Sequence, residues 1–223
     1  MTRLSSTPPG EPLPVPANSR TDLRAVRYVL SLSLSGSLLL WAAFPPLNLP
    51  LLAWIAPVPW LWIVGQPRPP GKLGYLAIWL AGFVYWLLML QGIRLAHPAL
   101  YAGWISLAAY LGVYLPLFIG LARVAVHRLR LSILLVAPVV WVGLELIRGH
   151  AVTGFSMGLL AHTQAEFPVL IQIADIAGGY TLSLAIMLIA ACLTRITWNR
   201  SEERRRFVYW WPISPAAFVL FVT

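Results

Sequence analysis

The sequence predicts an all-α protein, a polytopic transmembrane helical bundle with about six complete spans and a C-terminal seventh that is cut short. Of the 223 residues, 59% are hydrophobic and only 10% are charged, and the mean hydropathy is +0.77. Apolar runs near or above the ~17 to 25 residues that cross a hydrocarbon core recur along the chain. A soluble domain would have no interior large enough to bury them all.

The chain begins with a segment that does not resemble the rest. Residues 1–27 are rich in Pro, Ser and Thr and lack hydrophobic periodicity, which predicts a disordered cytoplasmic tail. We do not expect a signal peptide, because the first apolar run is followed by "FPPLNLP" instead of a small-residue cleavage site. Residues 28–223 are predicted to form one transmembrane helical domain.

The candidate spans follow in order from the apolar runs. They are residues 28–44, 47–64, 73–93, 100–122, 131–147, 168–194 and 207 onward. The second contains Pro50, Pro57 and Pro59, and proline both removes an amide donor and disfavours helical geometry in the residue before it. We therefore expect the second span to be broken or kinked. No long-period repeat is evident, so neither a solenoid nor an inverted-repeat transporter is indicated.

The basic residues predict the orientation of these spans, since short loops rich in Lys and Arg stay in the cytoplasm. One side of the alternating topology carries 14 of the 16 Lys and Arg residues, and the other carries only Arg94 and Arg148. This predicts that the N-terminus lies in the cytoplasm and that Thr223 lies on the outer side of the membrane. The net charge of +9 is assigned to anionic headgroups, and no nucleic-acid partner is expected.

One stretch near the end of the fifth span is polar among apolar runs: "WVGLELIRGHAVTGFSMGLLAHTQ", residues 141–164. Glu145 and Arg148 are three residues apart and so share a helix face. The favoured interpretation is an ion pair within the helix, because an isolated carboxylate near hydrocarbon is costly. The alternative is that Arg148 lies at a lipid-facing outer mouth and binds a phosphate or carboxylate.

The glycines of "RGHAVTGFSMG" predict that the helix stops there and that a shaped loop follows. His150 and His162 are too far apart in sequence for a one-turn metal pair, and no third ligand is nearby. Neither a metal ion nor a cofactor is expected. The single cysteine, Cys192, lies in an apolar run and is expected to pack, with no disulfide partner.

These motifs together resemble the membrane part of the apolipoprotein N-acyltransferase family. The resemblance rests on "APVVWVGLELIRGHAVTGF", on "HTQ" followed by "PVLIQIADIAGGYTLS", and on the earlier "WAAFPPLNLPLLAWIAPVPWLWI" and "LAAYLGVYLPLFIGLAR". It implies that five residues are lipid-facing, substrate-facing or structural: Glu145, Arg148, Thr153, Phe155 and Gln164. The chain departs from the family where Phe155, Ser156 and Met157 replace a common Phe-Pro-Trp.

The resemblance implies a two-part enzyme that moves an acyl chain from a membrane phospholipid to the N-terminal diacylglyceryl-cysteine of a lipoprotein. The catalytic part would be a nitrilase-like domain with a Glu-Lys-Cys triad, placed after the seventh span. The only lysine, Lys72, and the only cysteine, Cys192, have no acid or base beside them in sequence. We therefore expect no catalytic residue in this chain, and a truncated enzyme or one whose nitrilase-like domain is a separate chain.

Two other classes of protein remain as alternatives at this point. One is a small seven-span transporter or receptor, disfavoured by the absence of a repeat and by the few ionisable residues within the spans. The other is a non-catalytic membrane scaffold, which the residues alone do not distinguish from the module of an enzyme.

Overall fold

The computed structural model describes residues 19–151, 154–172 and 174–199, and this part of the chain is an all-α bundle, as predicted. Two 3-10 helices, Pro50–Trp54 and Leu160–Gln164, lie between its α-helices. The α-helices are α1 (Ser19–Ala42), α2 (Val58–Gly65), α3 (Lys72–Met89), α4 (Gln91–Ala96), α5 (Leu100–Gly112), α6 (Tyr114–His127), α7 (Ile133–His150), α8 (Pro168–Ile171), α9 (Ala174–Ala177) and α10 (Gly179–Asn199).

Five stretches of the described residues are long and apolar enough to cross a membrane: Leu23–Ala42, Lys72–Met89, Leu100–His127, Ile133–His150 and Gly179–Trp198. The predicted second span is present as the shorter apolar stretch Pro50–Gly65. The predicted seventh span, from residue 207, lies outside the described residues.

Helix α1 begins earlier than the first predicted span. It starts at Ser19, so residues 19–27 of the predicted disordered tail are helical. The sequence has no proline from residue 17 to residue 44, and a helix that has been nucleated propagates through polar residues that retain their amide donors. Residues 1–18 lie outside the described residues, so for them the tail stays a prediction.

The expected break in the second span is confirmed. The 3-10 helix Pro50–Trp54 and α2 are separated by residues 55–57, and a proline occupies the first or second position of both helices. Proline is tolerated there because its missing amide would have no partner in the first turn. A similar break separates α5 from α6 at Val113, because Pro116 cannot donate to the carbonyl of Gly112 four residues earlier.

The predicted sixth span, residues 168–194, is wrong in its first eleven residues. The membrane-length helix α10 begins only at Gly179, and the single-turn helices α8 and α9 precede it. Gly178 has φ +70, a left-handed conformation that glycine adopts readily and that interrupts an α-helix. An apolar run therefore continues across a turn that hydropathy alone does not reveal.

The helices pack as one bundle: α1 lies against α3 and α2, α3 against α5 and α6, and α7 against α6 and α10.

Arg123 of α6 caps the C-terminus of α2. Its Nη1 donates to the carbonyls of Ile63 at 2.7 Å, Val64 at 3.1 Å and Gln66 at 2.8 Å. A cation at this end suits the orphaned carbonyls and the helix dipole. Arg123 is 6% exposed, so it caps a helix and is not the loop charge that the topology count assumed.

Candidate functional site at the end of α7

The polar stretch 141–164 forms one connected structure where α7 ends. Helix α7 ends at His150, and residues 154–167, here called the 154–167 segment, pack back onto the bundle through the 3-10 helix Leu160–Gln164. Thr153, one of the five candidate site residues, lies outside the described residues. The other four are described, and each makes a specific contact.

Glu145 fixes the start of the 3-10 helix. Its Oε1 accepts hydrogen bonds from the backbone N–H of Leu160 at 2.8 Å and from Trp141 Nε1 at 2.9 Å. The next amide, of Ala161, donates to Ser183 Oγ of α10 at 3.0 Å. The first amides of a helix have no partner within it, and here a carboxylate from α7 and a hydroxyl from α10 supply those partners.

Arg148 holds the segment one turn further along α7. Its Nη2 donates to the carbonyl of Gly158 at 3.2 Å, and its guanidinium lies over the Trp86 ring of α3, 5.0 Å from the ring centroid. Phe155 packs edge-on against the same ring at 5.7 Å. Arginine above a tryptophan face is a favourable cation–π arrangement, so Trp86 is the common platform for α7 and the segment.

Gly158 is required by this packing. Its φ is +67, and an added Cβ would lie 3.0 Å from a ring carbon of Trp86. Both the backbone conformation and the space therefore favour glycine.

Gln164 connects the C-terminal part of the 154–167 segment to the 3-10 helix Pro50–Trp54 in the second apolar stretch. It is fully buried, its Nε2 donates to the Pro50 carbonyl at 2.9 Å, and Trp54 Nε1 approaches its Oε1 at 3.4 Å. Close by, Asn48 Nδ2 donates to Glu166 Oε1. The segment is thus anchored at Leu160 by α7 and at Gln164 by the 3-10 helix Pro50–Trp54.

The expected ion pair within α7 is not formed as a direct contact. In the described part of the chain, the hydrogen bonds of Glu145 and Arg148 go to Trp141, Leu160 and Gly158 and not to each other. The two side chains are 4% and 6% exposed. Arg148 therefore faces the protein interior and not a lipid-facing mouth, which favours a structural role for it.

Sequence reasoning missed Trp86 and Ser183. Nothing in the sequence links Trp86 to Arg148, 62 positions away. Ser183 had a detectable signal, because it is a polar residue in the apolar run "YTLSLAIM" and buried polar groups in a membrane helix need a partner.

The chemistry of the site favours a structural role. The Glu145 carboxylate is buried, and its Oε1 already accepts two hydrogen bonds, one of which positions the 154–167 segment.

Comparison with known proteins gives a consistent match. The model of the apolipoprotein N-acyltransferase N-terminal domain matches residues 36–192. Curated proteins named apolipoprotein N-acyltransferase are 39% identical over 174 residues in Rhodopirellula baltica, 39% over 177 residues in Geobacter metallireducens and 32% over 192 residues in Gloeobacter violaceus. These alignments cover 74%, 76% and 79% of this chain but 30%, 33% and 35% of those proteins. The chain thus spans about a third of the length of its relatives.

Proposed function

Because this chain belongs to the apolipoprotein N-acyltransferase family, we propose that it is the membrane module of such an acyltransferase. The enzyme moves an acyl chain from a membrane phospholipid to a cysteine thiol, and then to the amino group of the diacylglyceryl-cysteine of a lipoprotein. The observation that carries the proposal is the family match over residues 36–192, which includes Glu145, Arg148, Phe155 and Gln164. It argues against the transporter and receptor alternatives.

The module contributes a fixed surface beside the membrane and not the reacting groups. Buried hydrogen bonds hold the 154–167 segment at both ends, while Met157 and Phe167 within it are exposed. These apolar side chains contact acyl chains of the lipid substrates, because apolar groups at the bilayer boundary are favourably buried there. Holding two lipid substrates in a fixed geometry lowers the entropic part of the barrier to acyl transfer.

The nucleophile comes from a nitrilase-like domain, either on a longer form of the chain or on a partner. Among the 223 residues the only lysine and cysteine are Lys72 and Cys192. Lys72 is in the first turn of α3, and Cys192 is half-buried within α10. An acyl-accepting thiol needs activation by a neighbouring base or charge, and we assign Cys192 a packing role.

We predict that the 223-residue chain alone forms no N-acylated product. The test is to incubate the purified chain with phospholipid and a diacylglyceryl peptide and to analyse peptide and protein by mass spectrometry. Joining the nitrilase-like domain of the Rhodopirellula baltica relative after Thr223 should give turnover, and Cys192→Ala should leave that turnover unchanged. Product from the chain alone that is lost on Cys192→Ala would overturn the proposal. The proposal would also be overturned if the fusion were inactive although the same nitrilase-like domain is active when joined to the membrane part of the Rhodopirellula baltica relative.

We also propose that the end of α7 and the 154–167 segment face the periplasm of a bacterial inner membrane, with the N-terminus in the cytoplasm. The support is the distribution of Lys and Arg: with the buried helix cap Arg123 set aside, 13 of the other 15 lie on the opposite side. In a Cys192→Ala background, single cysteines at Ala17 and Ala165 should react with a membrane-impermeant maleimide from opposite sides of the membrane. Labelling of both from the same side would show that the orientation is wrong.

A further inference from the structure

A cavity of about 50 Å³ lies between α1, α3, α6 and α7, beneath the 154–167 segment. Its aromatic walls include Trp60 of α2 and Trp141 of α7, whose rings stack 5.4 Å apart. Four of its polar lining residues are Ser37 of α1, Tyr85 of α3, and Glu145 and Arg148 of α7, whereas the hydroxyl of a fifth, Tyr114 of α6, already hydrogen-bonds that of Tyr110 at 3.0 Å. The cavity therefore lies where the charged residues of the stretch 141–164 meet the rest of the bundle.

Each of these four residues carries a buried polar atom that lacks a protein hydrogen-bond partner in the described part of the chain. The atoms are Ser37 Oγ, Tyr85 Oη, Glu145 Oε2 and Arg148 Nε, and their side chains are 2%, 7%, 4% and 6% exposed. Across the described residues seven side-chain atoms are buried in this way, so four of the seven belong to residues lining one cavity. Buried polar atoms in native proteins almost always have a partner, and this clustering indicates that a shared ligand provides it.

The chemistry of the four atoms defines that ligand. Arg148 Nε can only donate a hydrogen bond, Glu145 Oε2 as a carboxylate oxygen only accepts, and the two hydroxyls do both. The ligand must then both donate and accept, and it must be neutral because the lining already contains one carboxylate and one guanidinium. A water needs at least about 10 to 15 Å³ of such space, so a volume of about 50 Å³ has room for three to five waters at most.

We propose that this cavity is a hydrated site, in which a small cluster of ordered waters bridges Glu145 Oε2 to Arg148 Nε and to the hydroxyls of Ser37 and Tyr85. Glu145 then acts through both of its oxygens: Oε1 holds Leu160 and Trp141, and Oε2 holds the waters. The two charges of α7 form a water-bridged pair, which accounts for their burial without a direct hydrogen bond. The inference does not depend on the proposed acyltransferase function.

The test is radiolytic hydroxyl-radical labelling of the purified chain in detergent, with H₂¹⁸O as solvent and peptide mass spectrometry as readout. Radicals formed from a bound water oxidise the side chains beside it even where bulk solvent has no access. Trp60, 2% exposed, and Tyr85, 7% exposed, should be labelled at least about tenfold more than Phe118, 0% exposed, after correction for intrinsic reactivity. Labelling of Trp60 and Tyr85 no greater than that of Phe118 would show a dry cavity and overturn the proposal.

Two further experiments distinguish water from other occupants of the cavity. Ser37→Val fills the cavity and should lower labelling of Trp60 severalfold, whereas Ser35→Val on the exposed face of the same helix should not change it. Equal labelling of Trp60 in both variants would contradict the assignment. If Ser37→Val does not fold, the labelling of Trp60 and Tyr85 relative to Phe118 in the unmodified chain decides the question.

The second experiment repeats the labelling in phosphatidylethanolamine nanodiscs, where labelling of Trp60 and Tyr85 should persist. Its loss there would show that a lipid group occupies the cavity, which would also overturn the proposal.

Discussion

Glu145→Ala is expected to lower the free energy of unfolding of the purified protein by about 3 kcal/mol, a large change for a single side chain. The substitution removes the acceptor of the buried Leu160 amide and of Trp141 Nε1, which is half-buried. It also leaves Arg148 buried without its neighbouring carboxylate, and an uncompensated buried charge is strongly destabilising. The measurement is denaturation in mixed micelles of mild detergent and sodium dodecyl sulfate.

The conservative variant and a matched control make this expectation specific. Glu145→Gln keeps an oxygen that can accept from Leu160, so it should cost less than half as much as Glu145→Ala. Glu166→Ala removes an exposed carboxylate from the same segment, whose partner is Asn48, and should cost less than about 1 kcal/mol. Equal effects of Glu145→Ala and Glu166→Ala would show that the buried carboxylate does not anchor the segment.

Gly82→Val is expected to prevent folding, because α3 and α5 touch through their backbones at this position. A Cβ at Gly82 would lie 2.8 Å from the carbonyl oxygen of Gly112, and a Cβ at Gly112 would lie 2.9 Å from the amide nitrogen of Phe83. Membrane helices commonly approach through small residues in this way, and a rigid carbonyl cannot move aside as a flexible side chain can. Gly82→Ala should already cost about 1 to 3 kcal/mol.

A control glycine lies on α5 itself. A Cβ at Gly103 would meet no atom within 4 Å, so Gly103→Ala should be neutral or slightly stabilising, since alanine has the higher helix propensity. The comparison is made by the yield of monodisperse protein on size-exclusion chromatography and by thermal unfolding. A Gly82→Val variant as stable as Gly103→Ala would contradict the close backbone contact between α3 and α5.

Much of the fold could be predicted because hydropathy and proline act locally. The apolar runs gave the membrane-length helices, and Pro50, Pro57 and Pro59 predicted the break in the second span. The start of α10 could not be predicted from hydropathy, because residues 168–178 are as apolar as a membrane helix. Gly178 and Gly179 mark that turn, but glycines also occur within membrane helices, as Gly82 does in α3.

For the candidate site, the sequence predicted residues but not their contacts. The stretch 141–164 identified four described candidates because it is polar and resembles the family: Glu145, Arg148, Phe155 and Gln164. The direct contact expected between Glu145 and Arg148 is, however, not formed. Spacing along one helix favours a local pair with Arg148, whereas the observed donors include the Leu160 amide, which an adjacent segment brings within reach. The Pro50 carbonyl that Gln164 binds is 114 positions away. Contacts of this kind depend on tertiary packing, which a single sequence does not specify locally.

Hydrogen–deuterium exchange of residues 158–164 tests most directly the claim that buried contacts from α7 hold the 154–167 segment in place. The unmodified protein should protect the Leu160 amide, and Glu145→Ala should accelerate exchange of this peptide by at least about tenfold more than it accelerates exchange of peptides from α5. Rapid exchange at Leu160 in the unmodified protein, or equal exchange in the two proteins, would contradict the claim.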